Sequence, residues 1–65
     1  MLDNLYLPKY DALVSPGAEI EFENSKGERI PGKIKEISEN GHCWVMHDDR
    51  LYACPYSAIH LKRML

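Results

Sequence analysis

The stretch that most restricts what this chain can become is HCWVMHDDRLYACPYSAI, from His42 to Ile59. Two short runs, Cys43-Trp44-Val45-Met46 and Leu51-Tyr52-Ala53-Cys54, flank His47-Asp48-Asp49-Arg50, and Pro55 closes the second. Aromatic and β-branched residues on either side of an Asp pair form the pattern of a β-hairpin. A turn centred between Asp48 and Asp49 sets His47 opposite Arg50, Met46 opposite Leu51, Val45 opposite Tyr52, Trp44 opposite Ala53 and Cys43 opposite Cys54. Side chains alternate along a strand, so Cys43, Val45, Tyr52 and Cys54 share one face, and Trp44, Met46, Leu51 and Ala53 the other. Both faces are apolar. One must meet the core, and the second needs a cover from elsewhere in the chain or from another molecule. A register one residue different would instead turn Trp44 inward as the main ring of the core.

The rest of the chain supplies partners for this ribbon. Ala18 to Glu23 alternates cleanly, with Ile20 and Phe22 facing in and Glu19, Glu21 and Glu23 facing out. A second strand runs from Arg29 to Ile37, with Ile30 and Ile34 inward and Lys33 and Lys35 outward. Pro31-Gly32 marks an edge, bulge or bend, and Ile37 falls out of step with Ile34, which also predicts a bulge. Outward glutamates of the first strand are placed to face Lys33 and Lys35 across the ladder. Asn40-Gly41 is a strong hairpin turn signal. Pro55 to Ile59 reads as one helical turn, and His60 to Leu65 as a last strand. Residues 1–16 form an apolar arm outside a domain of residues 17–65. Pro8 interrupts any continuous helix there, and the arm is the internal candidate to cover one face of the hairpin.

With 65 residues the chain is one domain, and its 45% hydrophobic content is too high for disorder. The formal net charge of −2 argues against a general polyanion binder, whose affinity comes from cations. The first residues carry no basic segment followed by an apolar core, so no signal peptide is read, and no apolar run is long enough to span a membrane. The expectation is a cytoplasmic protein with its two cysteines as thiols.

Gly17 to Phe22, Gly32-Lys33-Ile34, Trp44-Val45 and Cys54-Pro55-Tyr56-Ser57-Ala58-Ile59 together resemble the Src-homology-3-like barrel superfold, with tudor-like and KOW-like barrels among its members. The resemblance covers residues 17–65 and implies an all-β, five-stranded small barrel with a helical turn before its last strand. It also implies that Cys54 and Ile59 are core. A weaker resemblance links Gly17 to Ile34 and the turn before the last strand to the type II dihydrofolate reductases, which would imply an oligomeric, nicotinamide-using enzyme. Their Val-Gln-Ile-Tyr segment falls on Leu51-Tyr52-Ala53-Cys54, where the Gln and Tyr that line the shared pore are missing.

His42, Cys43, His47, Cys54 and His60 are the candidate metal donors, but they lack the closely spaced pairs that zinc sites use, and no metal or other cofactor is expected. Asp48-Asp49 reads as a turn rather than an acid–base pair, and His42 and Cys43 point to opposite faces and form no nucleophilic dyad. The favoured reading is a non-enzymatic module that binds a protein partner or itself. Its surface is Trp44, Met46 and Leu51, with Tyr52 and Tyr56 at the edge where a barrel opens, since Trp dominates many interfaces. The alternative is a nucleic-acid face made of Lys33, Lys35, Lys62 and Arg63 with the neighbouring aromatics.

Overall fold

The computed structural model of the protein describes residues 1–63. Seven strands follow in order: β1 (Leu5–Leu7), β2 (Ala12–Val14), β3 (Glu19–Glu23), β4 (Arg29–Ile37), β5 (His42–His47), β6 (Arg50–Pro55) and β7 (Ile59–Leu61). A 3-10 turn, Tyr56–Ala58, joins β6 to β7. The five later strands form one antiparallel sheet in the order β6-β5-β4-β3-β7, and β1 and β2 form a separate hairpin. The chain is therefore all-β. Among the described residues the main sheet is not hydrogen-bonded into a closed barrel, because β6 and β7 each have one neighbour there.

The β5–β6 hairpin has the register its sequence dictates, from His42↔Pro55 through Trp44↔Ala53 to His47↔Arg50. Its turn is a two-residue loop with φ of 49° at Asp48 and 61° at Asp49. Positive φ at both central positions is the primed geometry whose twist matches that of the flanking strands. Asp tolerates this region better than most residues with a Cβ, which is why a pair of them serves here.

The long strand β4 bends as expected. Ile34 pairs with Val45 and Ile37 with Cys43, and the register shifts between Ile34 and Glu36. One extra residue puts Ile34 and Ile37, three positions apart, on the same buried face. Gly32 sits in β4 where the packing is tightest. A Cβ there would stand 2.5 Å from Val45 Cγ1 and 3.1 Å from Phe22 Cε1, so only glycine lets the two side chains close over the strand.

The core comprises Ile20, Phe22, Ile34, Ile37, Cys43, Val45, Cys54 and Ile59, joined by Leu5, Leu7 and Val14. The leading sixteen residues are thus not a helical stripe. Pro8 opens a turn in which the Tyr10 N–H reaches the Leu7 carbonyl, and β1 and β2 fold back with Leu5 opposite Val14. Leu2 adds an isolated bridge to Ile37. The leader seals the interior and leaves the Trp44 face uncovered.

Two expectations need correction. Glu21 does not face solvent: its side chain is 12% exposed and its carboxylate accepts from Arg63 Nε at 3.0 Å. β3 is flanked by β4 and β7, and the following chain folds its cation over that glutamate. The last strand begins one residue earlier than expected and ends at Leu61, because Lys62 and Arg63 turn to Glu19 and Glu21. Met64 and Leu65, the end of the expected strand, lie outside the described residues. The five-stranded sheet leaves a groove between β6 and the end of β3.

Candidate binding face and groove

Trp44, Met46 and Leu51 are brought together. Alternation along β5 and β6 puts Trp44 and Met46 beside Leu51 and Ala53 on the outer face, while Cys43, Val45 and Cys54 are buried behind them. Trp44 is 40% exposed and Leu51 49%, so the indole is not the ring at the centre of the core. Glu36 lies opposite Trp44 on the β4 side, and a shallow hollow of about 230 Å³ runs from Ser38 and His42 across Trp44 to Ala53.

Tyr52 and Tyr56 are not part of that patch. Tyr52 faces the other side of the ribbon, with its ring 5.4 Å from Phe22 and 6.3 Å from His47. There it lines a groove of about 650 Å³ bounded by Phe22, Glu23 and Ile30 on one wall and Tyr52, Cys54 and Ala58 on the other. Tyr56 is half-buried, and its hydroxyl donates to the Ser38 carbonyl. The N–H of Tyr56 bonds the Gly41 carbonyl at 3.0 Å, so the residue ties the 3-10 turn to the β4–β5 loop. The groove wall made by Phe22 and Ile30 was not legible as a site. Both read as core positions, and Phe22 is buried; the gap between β6 and the end of β3 makes them the groove's wall.

The four cations considered for nucleic acid divide. Lys62 Nζ stands 3.0 Å from Glu19 Oε1 and Arg63 Nε 3.0 Å from Glu21 Oε1. The Lys62 ammonium, bonded to Glu19 and helped by Lys33, holds that carboxyl below its ordinary range. Lys33 pairs with Glu19 across the ladder, and Lys33 and Lys35 are exposed. Carboxylates thus interleave with the cations along β3, β4 and the chain after β7.

The five donor residues are dispersed. Cys43 and Cys54 face each other inside the sheet as free thiols. Burial, and secondarily Cys54, pushes the Cys43 thiol up to about 11, and burial raises Cys54 as well. His42 is exposed, and His47 Nδ1 lies 2.8 Å from the Pro31 carbonyl. His60, 3% exposed, is satisfied at both ring nitrogens, by Tyr10 Oη at 2.8 Å and Glu23 Oε1 at 3.1 Å. Its Nε2 faces the carboxylate and its Nδ1 the tyrosine hydroxyl. This bridge fixes the leader's turn to β7 and β3. Among the described residues no group of acidic, His and Cys side chains is placed to hold a metal ion.

The molecule is thus a small antiparallel all-β domain with an exposed Trp face on one side of its ribbon and an open groove on the other. No helix among the described residues is long and apolar enough to cross a membrane. Comparisons with protein-family models, curated proteins and solved structures found no match.

Proposed function

We propose that this chain is a non-enzymatic interaction module that docks a protein, a partner or a second copy, on the outer face made by Trp44, Met46 and Leu51. The observation that carries the reading is the exposure of Trp44 on the outer side of a ribbon whose Cys43, Val45 and Cys54 are buried on the other side in the chain's own core. A ring with this much apolar area, flanked by Met46 and Leu51 and backed by a rigid ladder, is the kind of residue that dominates protein interfaces. The resemblance to Src-homology-3-like barrels is part of the same proposal. Its support is the strand order and the 3-10 turn that leads from Pro55 into β7. That superfold hosts many binding modules, and its fold alone names no ligand.

The test compares the native protein with Trp44→Asp, which keeps a residue at a surface position and destroys the apolar face. Proteins captured from a lysate, or oligomers seen by light scattering, are lost in the variant while its circular dichroism stays native. Capture and oligomeric state both unchanged by the variant would overturn the reading. Retention of the native protein on a polyanion column with a steep salt dependence would point instead to the Lys33, Lys35, Lys62 and Arg63 face.

A further inference from the structure

The β6 strand has features that the docking face does not use. It is a six-residue edge strand, and the four residues Leu51 to Cys54 carry no charge. Natural sheet edges are ordinarily blunted by Lys, Pro, bulges or a covering loop, because free N–H and C=O groups recruit another strand. Here Pro55 stands only at the end.

The ladder settles which backbone groups are free. In an antiparallel pair, successive residues alternately bond the neighbour and point away from it. Tyr56 N–H bonds Gly41, and Ser38 N–H bonds the His42 carbonyl on the β4 side. Residues 50, 52 and 54 therefore bond β5, and Leu51 and Ala53 present both their N–H and C=O groups to the open edge. Pro55 presents a carbonyl and no N–H.

We propose that β6 pairs antiparallel with β6 of a second copy about a two-fold axis at Tyr52. The inference goes beyond the docking face, since it uses the strand edge and leaves the Trp44 face open. In this register Leu51 lies opposite Ala53 of the second copy and Ala53 opposite its Leu51. All four free N–H groups then find carbonyl partners, and Pro55 falls outside the ladder. A shift by two residues toward Pro55 would oppose Leu51 to a residue with no donor.

Side chains and charge agree with the same register. Bulky Leu51 meets small Ala53, and the two Tyr52 rings meet on the axis. Arg50 comes opposite Cys54 of the second copy, at the mouth of its groove. Glu23 is the charged residue in that groove's wall, with its side chain 44% exposed. Arg50 is exposed and has no ion-pair partner among the described residues. The cation of each copy thus enters the acidic groove of the other, twice by symmetry. On the outer side, the pairing runs Trp44 and Ala53 of one copy into Leu51 and Met46 of the next, doubling the apolar face.

Sedimentation equilibrium and amide hydrogen exchange on the full chain test this. The native protein is expected to be a dimer, with Leu51 and Ala53 amides exchanging about tenfold slower when nine-tenths of the chains are paired than in the dilute monomer. Ala53→Pro removes a donor that the monomer does not use, so it yields a folded monomer. Arg50→Glu, a surface change, is expected to weaken the dimer at least about tenfold by setting like charges together. A native protein that stays monomeric at high concentration overturns the pairing and leaves the Trp44 reading to a different protein partner. A dimer that Trp44→Asp breaks, but that Ala53→Pro leaves intact with fast Leu51 and Ala53 exchange, also overturns it and places the seam on the outer face.

Discussion

Replacing Gly32 with alanine isolates the closest approach in the fold. The added Cβ would lie 2.5 Å from Val45 Cγ1, 3.1 Å from the Met46 carbonyl oxygen and 3.1 Å from Phe22 Cε1. None of the three yields easily: Val45 is fully buried, its β-branched side chain has few rotamers, and the carbonyl belongs to the ladder. Overpacking of this kind costs about 1–3 kcal/mol. Removing a glycine from a strand returns roughly 0.5–1 kcal/mol of chain entropy, so the net loss is about 1–2 kcal/mol. For a domain of this size that lowers Tm by roughly 5–15 °C. Thermal unfolding followed by Trp44 fluorescence reads it, and a double-mutant cycle with Val45→Ala sharpens it. The smaller side chain gives the new methyl room, so the two substitutions together cost less than their sum, with a coupling of about 1 kcal/mol. A Gly32→Ala protein as stable as the native one, or strictly additive changes, would refute the packing described for β4.

Three further outcomes follow from the same geometry. Leu7→Ala is expected to destabilise by about 2–5 kcal/mol and the exposed Leu13→Ala by less than about 0.5 kcal/mol in urea unfolding, since only the first removes core. The double change Asp48→Asn with Asp49→Gly relieves the positive φ at both turn residues and is expected to raise Tm by a few degrees in a thermal scan, about 0.5–1 kcal/mol. The thiols are expected to be silent to Ellman's reagent in the native state at neutral pH and to appear on unfolding. Because Cys43 is held at about 11 against an ordinary 9.0, the unfolded chain loses its proton first, so the stability this thiol contributes is full below pH 9 and drains away between pH 9 and 11. Urea midpoints across that range check the sign.

How much of this was legible in the sequence depends on how local the cause was. The β5–β6 register was legible because an Asp pair and two short apolar runs admit few alignments, and the β4 bulge because Ile34 and Ile37 cannot share a face of a regular strand. The limits of the leader were not. Leu2, Leu5 and Tyr6 at intervals of three and four imitate a helix, whereas the alternation that matters, Leu5 with Leu7 and Ala12 with Val14, is only three residues long on each side. Glu21 was misplaced because its cover, Arg63, lies 42 residues away in the chain. Of the candidate site, the Trp44-Met46-Leu51 cluster follows from strand alternation alone. Tyr52 needed the open edge of β6 to acquire a groove, and Tyr56 a tertiary hydrogen bond to acquire its structural role.

The central claim is that the indole of Trp44 lies on an outer face while the opposite face of its ribbon forms the core. Iodide quenching of the single tryptophan's emission in the native protein measures it directly. An emission maximum shifted toward that of exposed indole and clear quenching by iodide, though less than in the unfolded chain, are predicted. A blue-shifted emission that iodide does not reach in the monomer would contradict the account.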